Sequence, residues 1–411
     1  MRTKIFTHIA LLVNTRDTTT PLRGEALRHL PAIENAYLVV EDGMIAGFGK
    51  MEDCPWEASA CIPVRGQFVM PCWCDSHTHL VHAGSREQEF VDKLKGATYA
   101  EIAARGGGIL HSARAIAATS EDELFRQSYQ RLEEVSRLGT GSIEIKSGYG
   151  LDVQEELKML RVIKRLKEKS NLSIKATFLG AHAYPPAFRN DHETYLASLT
   201  TEMLPVIAAE KLADFVDVFC ETGFFSPEEM ERVCLAARRY GLVPKLHVNQ
   251  LNSIGGVEKG IALEARSLDH LETLTDDEIR MLGAYPGCAT LLPTAAFFLR
   301  MPYPPARALI HAGAAVALAS DYNPGSSPSG NMNLVVSMSC IQLRMLPEEA
   351  INAATLNGAW AMGLEKETGS VAQGKKADLI FTRPIPALAY MAYSFGSPQV
   401  DRVMIAGEFI S

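Results

Sequence analysis

The chain has 411 residues, of which 47% are hydrophobic and 21% are charged. This length exceeds one ordinary domain and fits a large α/β barrel with a smaller appendage. The composition is that of a well-packed globular protein, and the formal net charge of −8 argues against a nucleic-acid partner or an anionic membrane surface. No apolar stretch is long enough to span a bilayer.

The beginning of the chain resembles a signal peptide only faintly. The apolar segment Ile9–Val13 is short, His8 interrupts the approach to it, and no small-residue cleavage site follows. The segment is better explained as a first β-strand, which predicts a cytoplasmic protein. The eight cysteines agree, because their spacing indicates neither a disulfide framework nor paired zinc ligands. Cys72 and Cys74 are predicted to be buried strand thiols.

Both chain ends are rich in predicted strands. Near the start, Asp42-Gly43 separates two apolar runs, which is a hairpin signal. Short apolar runs between turn residues occur again near the end of the chain. We therefore predict a small β-sandwich domain built from both ends, residues 1–67 and 370–411.

The middle of the chain, residues 68–369, alternates between predicted strands and helices. Helical periodicity is clearest in Glu121–Leu138, Val153–Lys169 and Pro227–Tyr240, and Ser120 is a plausible N-cap of the first of these helices. Eight strands alternating with helices predict a (β/α)₈ barrel of the TIM type. A doubly wound open sheet is the competing layout, but no glycine-rich phosphate loop follows the first strand. The strand candidates are Phe68–Cys74, Gly141–Lys146, Ile174–Leu179, Phe215–Phe219, Pro244–Val248, Ser267–Leu271, Ala289–Leu292 and Ala315–Ser320.

A His-x-His pair, His77 and His79, closes the first predicted barrel strand. Residues i and i+2 of a strand point to the same side, so both imidazoles can reach one metal ion. The C-terminal ends of barrel strands form the active-site face of this fold. A single His-x-His is weak support for a metal site, because paired surface histidines are common.

Further candidate ligands stand at the other strand ends. His182 follows strand three, His247 lies in strand five, His270 ends strand six and Asp321 ends strand eight. A solvated or structural histidine would explain any one of them, but that explanation must hold repeatedly on one rim. Three imidazoles and a carboxylate suit zinc or a similar divalent metal. We predict that the ligands are His77, His79, His247 and Asp321.

Catalysis follows from that ligand set. A catalytic metal site keeps one position for water and lowers the pKa of that water to about 7. Asp321 can touch both the ion and the water. It is therefore the candidate group that takes the proton from the nucleophile and passes it to the leaving nitrogen.

Several long motifs resemble the imidazolonepropionase family of amidohydrolases, and the resemblance runs from the N-terminal strands to the C-terminal ones. The motifs are Asp75-Ser76-His77-Thr78-His79, Gly84-Ser85-Arg86-Glu87, Gly106-Gly107-Gly108, Glu144-Ile145-Lys146-Ser147-Gly148-Tyr149-Gly150, Leu179-Gly180-Ala181-His182 and Ser320-Asp321-Tyr322-Asn323-Pro324-Gly325-Ser326. The resemblance implies hydrolysis of 4-imidazolone-5-propanoate to N-formimidoyl-L-glutamate in histidine breakdown.

The resemblance also implies roles for single residues. Asp321 would move the proton, while His270 or His182 would stabilise the oxyanion together with the metal. Strand four ends without the bridging lysine of binuclear relatives, which implies one ion, zinc or iron. The family suggests a homodimer. The residues implied to contact the substrate are Arg86, Tyr149, His182, Gln250, Asn323, Gly325 and Ser326.

Elementary chemistry supports part of this substrate site. Arg86 offers a bidentate fork for the propionate of the substrate, although a lone loop arginine is more often a surface charge. Tyr149 follows a turn at the end of strand two, and Tyr99 is a weaker candidate for the pocket. The glycines 106–108 predict either a mobile cover for the site or a plain tight turn. His82 is expected to be a wall residue of the pocket.

One position departs from the family pattern. Many members carry a glutamate three residues after the strand-five histidine, where this chain has Gln250. A glutamine can orient water or substrate but is not a base, so proton transfer depends on Asp321 or a histidine. Two alternatives stay open: another cyclic-amide or amidine hydrolase or deaminase of the same superfamily, and a barrel that has lost catalysis and serves as a binding protein.

Overall fold

The computed structural model describes residues 3–57, 60–97, 101, 105–397 and 399–410. Its central element is a sheet of eight parallel strands, β6 to β13, that are hydrogen-bonded in chain order. Six of the eight are wholly buried, and Val243 of β10 is an exposed first residue. The strands are β6 Trp73–Thr78, β7 Thr140–Lys146, β8 Ser173–Ala181, β9 Phe215–Cys220, β10 Val243–Val248, β11 Ser267–His270, β12 Cys288–Leu291 and β13 Ala315–Leu318.

The sheet closes on itself next to the predicted histidine pair. The amide of Asp321 donates to the carbonyl oxygen of His77 at 3.0 Å. The amide of His79 donates to the carbonyl oxygen of Tyr322 at 2.9 Å. These bonds join the segment after β13 to β6 and give a nearly closed barrel. The predicted (β/α)₈ architecture is therefore confirmed.

Seven of the eight predicted barrel strands agree with observed ones to within two residues at each end, but the first was placed too early. Phe68–Pro71 is strand β5 of a different sheet, and the barrel strand begins only at Trp73. Residues 68–74 form one continuous apolar run, so hydrophobicity alone does not reveal the transition. Backbone hydrogen bonds reveal it, because β5 pairs with two strands from the chain ends.

Helices cover the barrel, and polar caps fix where several of them begin. The Ser120 side chain accepts from the Glu123 amide, as predicted, and a capping box with Ser226 begins Pro227–Arg238. The α-helices are Glu87–Leu94, Ile109–Ala118, Glu121–Arg137, Val153–Lys169, His192–Ala197, Leu204–Glu210, Pro227–Arg238, Gly256–Ala262, Asp276–Ala284, Pro293–Leu299, Ala306–His311, Met332–Ile341, Pro347–Asn352, Gly358–Ala361 and Tyr390–Tyr393.

Shorter helical pieces join these elements. Among the described residues, two π-helical turns continue α-helices of the barrel layer, and three 3₁₀ turns lie in connections. The π-helical turns are Ser198–Met203 and Ala353–Asn357, and the 3₁₀ turns are Gly24–Arg28, Met51–Asp53 and Pro186–Phe188.

The two chain ends form a second, mixed sheet with its own apolar core. Asp42 and Gly43 both have positive φ, 46° and 85°, and make the predicted hairpin between the strands Ala32–Glu41 and Met44–Lys50. The expected β-domain built from both ends is thus confirmed. Its strands are β1 Thr3–Val13, β2 Ala32–Glu41, β3 Met44–Lys50, β4 Ile62–Pro63, β5 Phe68–Pro71, β14 Leu379–Thr382, β15 Val400–Ile405 and β16 Glu408–Phe409.

Three further expectations can be compared with the structure. In the described part of the chain, no helix has the length and apolar character needed to cross a membrane. All eight cysteines are free thiols, and Cys72 and Cys74 are buried. The domain boundaries at residues 67/68 and 369/370 stay a prediction, with strand β5 paired to the end sheet.

Candidate metal-dependent active site

The C-terminal rim of the barrel gathers the predicted histidines and Asp321. His77 lies in β6, with His79 just beyond its end, and His247 lies in β10. Ligand atoms of His77, His79 and His247 all lie within 4.8 Å of one another, and so do those of His77, His270 and Asp321. All of these side chains are buried. The strand ends therefore produce one compact cluster.

Distances within the cluster are those of groups that surround a common point. The Nε2 atoms of His77 and His247 are 3.1 Å apart. Asp321 Oδ1 lies 3.6 Å from Nε2 of both His77 and His79. Two ligand nitrogens in a tetrahedral zinc site stand about 3.3 Å apart, given Zn–N bonds of about 2.05 Å.

Two buried aspartates set the orientation of two imidazoles. Asp269 Oδ2 accepts from Nδ1–H of His77 at 2.7 Å, and Asp217 Oδ2 accepts from Nδ1–H of His247 at 2.7 Å. Both Nε2 atoms therefore carry lone pairs that point at the same space. Carboxylates in this position fix the tautomer and raise the basicity of a metal-ligating histidine.

The three imidazoles are neutral. Burial lowers the pKa of His77, His79 and His247 well below the usual range, and neighbouring positive charge adds to the effect. Two lone pairs 3.1 Å apart repel each other unless a cation lies between them. Neutral imidazoles, one carboxylate and deep burial are the donor set of a first-row divalent ion. The residues thus fit a metal ion.

Below the ligands lies a layer of buried charges. Lys146 Nζ is 2.9 Å from both Glu144 Oε1 and Asp217 Oδ2, and 3.9 Å from Asp269 Oδ2. Burial works against the charge on Lys146, but the three carboxylates outweigh it and raise its pKa. Lys245 completes the layer, 3.8 Å from Asp269. None of these side chains is exposed, so the layer is a rigid base for the ligands.

Asp321 combines a strained backbone with a perturbed carboxyl group. Its φ is 52°, a conformation that residues other than glycine seldom adopt and that clusters at functional sites. Burial raises the pKa of Asp321 to about 6, although His270 acts in the opposite direction. A carboxyl group with a pKa near neutrality can both take up and release a proton at physiological pH.

The loop after β13 is organised around Asn323. Its Oδ1 accepts from the amides of Gly325 and Ser326, each at 2.8 Å, and its Nδ2 donates to the Asp321 carbonyl at 2.6 Å. The Ser326 hydroxyl donates to Asp321 Oδ2 at 3.1 Å. Most of the Asn323 amide is therefore engaged within the loop that carries Asp321.

A cavity of about 520 Å³ opens beside the cluster. Its lining includes all of the predicted substrate contacts: Arg86, Tyr149, His182, Gln250, Asn323, Gly325 and Ser326. An adjoining cavity of about 460 Å³ shares Arg86, Asn323 and Gly325 and reaches His82, a wall residue as expected. Tyr99 lies outside the described residues.

Arg86 is held in place by Glu89. Nε and Nη2 of Arg86 donate to Glu89 Oε2 at 2.9 and 2.7 Å, and Glu89 Oε1 accepts from the Gly108 amide at 3.0 Å. Gly106 and Gly108 have positive φ, 79° and 71°, as a tight turn requires. That the turn closes over the site stays a prediction. Nη1 of Arg86 has no hydrogen-bond partner among the described residues and remains for a ligand in the cavity.

A second buried carboxylate, Glu156, holds the loop that carries Tyr149. It accepts from the amides of Gly148, Gly150 and Leu151 at 2.7–3.3 Å. The Gly148 carbonyl in turn accepts from Nδ1–H of His182 at 3.0 Å, and Nε2 of His182 has no hydrogen-bond partner in the part of the chain that the structure describes. Burial raises the pKa of Tyr149 and lowers that of His182 to about 4, so both are neutral hydrogen-bonding groups.

Comparison with known proteins agrees with this geometry. Residues 68–410 match the model of the amidohydrolase family. A curated imidazolonepropionase of Flavobacterium johnsoniae is 53% identical over 405 residues, which are 98% of each chain. This chain belongs to the imidazolonepropionase family. Another imidazolonepropionase, from Shewanella sp. strain ANA-3, is 44% identical over 92% of this chain and 94% of its own.

Solved structures of other proteins share the fold of this imidazolonepropionase-family chain. Escherichia coli guanine deaminase superposes with a TM-score of 0.74 at 16% identity, over 100% of this chain and 99% of its own. A triazine hydrolase variant also gives 0.74, at 15% identity over 100% and 94%. Identities this low concern the fold alone.

Several residues that support the site were not predicted from the sequence of this imidazolonepropionase-family protein. They are the charged residues behind the ligands and loops: Glu89, Glu144, Glu156, Asp217, Lys245, Asp269 and Glu272. Lys146 was noted only as the end of strand two. One signal was available, because Asp217 and Asp269 interrupt apolar strands at inward-facing positions, where an isolated charge is costly without partners.

Proposed function

We propose that this chain hydrolyses 4-imidazolone-5-propanoate to N-formimidoyl-L-glutamate, a step of histidine degradation. The observation that carries the proposal is the convergence of His77, His79, His247 and Asp321 beside a cavity that contains the Arg86 guanidinium. Full-length relatives named imidazolonepropionase support the choice of substrate over other cyclic amides.

The metal site is proposed to hold one divalent ion, zinc or iron, on His77, His79, His247 and Asp321. When bound, such an ion lowers the pKa of a water molecule to about 7 and polarises a carbonyl group. Zinc and iron both suit imidazole and carboxylate ligands. Strand β9 ends in Val218-Phe219-Cys220 without a lysine, which supports one ion rather than a bridged pair.

Asp321 is proposed as the proton carrier. It accepts a proton from the attacking water while the water oxygen adds to the ring carbonyl carbon, and it returns that proton to the ring nitrogen when the C–N bond breaks. The Ser326 hydroxyl at 3.1 Å holds one carboxylate oxygen and leaves the other directed at the cluster. His270 and His182 are proposed to stabilise the developing oxyanion from the rim.

The propionate of the substrate is proposed to bind Arg86. Because Glu89 occupies the Nε side of the guanidinium, the free Nη1 can donate to a substrate carboxylate. The ring is proposed to lie between Tyr149, His182 and Gln250 on one side and the loop of Asn323, Gly325 and Ser326 on the other. Gln250 can orient the ring through its amide but cannot replace Asp321 as the base.

Location and assembly complete the proposal. We propose a cytoplasmic homodimer with residues 1–67 and 370–411 as the β-domain and residues 68–369 as the catalytic barrel. The net charge of −8 supports a small-molecule substrate without a nucleic-acid partner.

The test is loss of 4-imidazolone-5-propanoate and gain of N-formimidoyl-L-glutamate, followed with the purified protein before and after chelation. We expect turnover that the chelator abolishes and that zinc or iron restores, with one ion per chain by elemental analysis. Ammonia release from purines or pyrimidines without imidazolone turnover would instead favour a deaminase. A protein that binds no metal and turns over neither substrate class would indicate a binding protein.

A further inference from the structure

An additional buried carboxylate, Glu272, faces His270 from a strained turn. His270 and Leu271 have φ of 85° and 65°, so two consecutive residues other than glycine adopt a left-handed conformation. Such strain persists only where the surroundings enforce it, and it clusters at functional sites. The strained turn lies directly after β11, and the side chain of Glu272 contacts that of His270.

Two backbone hydrogen bonds hold this turn, one before and one after Glu272. The Leu271 amide donates to the Val248 carbonyl at 3.2 Å, and the Thr273 amide donates to the Asn249 carbonyl at 2.9 Å. The Leu271 side chain is fully buried. The end of β10, which carries His247, therefore holds the strained turn in place, and the backbone of Glu272 cannot move away without breaking these bonds.

Glu272 contacts His270 directly. Its Oε1 accepts from Nδ1–H of His270 at 3.3 Å, and its side chain is 1% exposed. The imidazole of His270 stands 5.5 Å from the ring of His77 and 5.1 Å from that of His247, measured between ring centroids. With Nδ1 committed to Glu272, Nε2 of His270 is the atom left for the reacting centre.

A purely structural role explains Glu272 poorly. Its Oε2 is buried and has no hydrogen-bond partner in the described part of the chain. A buried carboxylate with an unsatisfied oxygen is costly, and an apolar side chain of similar length would serve stability better. The contact of this carboxyl group with one rim histidine indicates a task at that histidine.

We propose that Glu272 is a positioning residue for the hydrolysis: it holds His270 with Nδ1–H towards its own carboxylate and Nε2 towards the amide that is cleaved. This step rests on the proposed function, in which His270 stabilises the oxyanion. A third group that orients a catalytic imidazole is a recurring arrangement in hydrolytic enzymes.

The decisive variant is Glu272→Met, which removes the acceptor and the charge while keeping an unbranched side chain. We expect kcat to fall roughly 10²-fold, with KM within about threefold and metal content unchanged. Glu272→Gln, whose Oε1 can still accept from Nδ1–H, should recover part of kcat. Glu258→Met, at an exposed position of the helix Gly256–Ala262, is the matched control and should behave as wild type.

A double variant tests whether Glu272 acts through His270. In a His270→Ala background, Glu272→Met should lower kcat by less than about threefold further, because the group that it orients is gone. A second loss of roughly 10²-fold in that background would overturn the proposal. So would loss of bound metal in the single variant, since Glu272 would then support the ligands instead. Glu272→Ala replaces Glu272→Met should the latter not fold.

NMR of the histidine ring nitrogens in the zinc-loaded protein tests whether Glu272 orients His270, without any measurement of turnover. With ¹⁵N-labelled histidine, and His270 assigned by its absence in His270→Ala, we expect a protonated Nδ1 in the wild type and a shift of that signal in Glu272→Met. An unchanged signal overturns the proposal. A wild type that turns over no imidazolone would instead refute the proposed function, while this signal still reports on Glu272.

Discussion

Gly325→Ala tests the placement of Arg86 with a single methyl group. A Cβ built on Gly325 would stand 2.9 Å from Cζ of Arg86 and closer still to Nη1. Gly325 has no left-handed φ, so alanine fits its backbone, and the three atoms nearest to the added methyl group all belong to the guanidinium of Arg86. The substitution therefore moves Arg86 without changing its charge.

The size of the effect follows from these distances. Carbon atoms in ordinary contact are about 3.5–4.0 Å apart, so the guanidinium must retreat by about 1 Å. Arg86 cannot simply rotate away, because two bonds of 2.9 and 2.7 Å tie it to Glu89. A charge-assisted hydrogen bond is worth about 1.5–3 kcal/mol. Weakening one such bond to the propionate predicts a rise in KM of roughly 10-fold to 100-fold.

Steady-state kinetics on 4-imidazolone-5-propanoate measure this prediction. We expect KM to rise while kcat stays within about threefold, since the reacting amide lies at the metal cluster and not at Arg86. Gly47→Ala is the control, because Gly47 lies in β3, has nothing within 4 Å of the added Cβ and takes no left-handed φ. An unchanged KM in Gly325→Ala would refute the assignment of Arg86 to the substrate carboxylate.

Three further predictions concern buried carboxylates. Asp321→Asn should lower kcat by about 10²–10⁴-fold, and near-normal turnover would contradict its role as proton carrier. Asp217→Asn should weaken metal binding by about 10–100-fold, measured in competition with a chromophoric chelator. The control Asp122→Asn, at a side chain that is 89% exposed, should leave metal binding unchanged. Burial raises the pKa of Glu156 from 4.5 to about 7, so the folded state retains a proton that the unfolded chain has released between these values. Stability relative to Glu156→Gln should therefore fall from pH 5 to 8, by up to ~3 kcal/mol in unfolding free energy, and a pH-independent difference would refute this.

Much of the barrel was predictable because its determinants are local. Helix boundaries follow from polar caps such as Ser120, whose side chain accepts from the Glu123 amide. The first strand was misplaced because the chain passes from one sheet to another within a continuous apolar stretch, at Cys72. Only the long-range pairing of β5 with β1 and β14 distinguishes the strand of the end sheet from the barrel strand. Such pairing produces no periodic pattern in the sequence of either strand.

The rim of the site was also predictable, because strand ends of a barrel meet on one face. The residues behind the rim were not, since their function depends on partners distant in sequence. Asp217 matters through His247 and Lys146, and Glu89 matters through Arg86 and an amide 19 residues further along the chain. In the sequence, Glu89 is indistinguishable from a surface charge, and Asp217 is marked only by its place in an apolar strand.

Charge balance explains why the site suits one divalent ion. The buried layer contains three carboxylates and two ammonium groups, Lys146 and Lys245, and therefore has one negative charge in excess when ionised. Asp321 adds a second negative charge, while the three ligand imidazoles are neutral. Uncompensated charge is costly in a water-free interior. One divalent cation neutralises this set of residues, from which the paired Glu272 and His270 are left out, and the balance supports the proposed mononuclear centre.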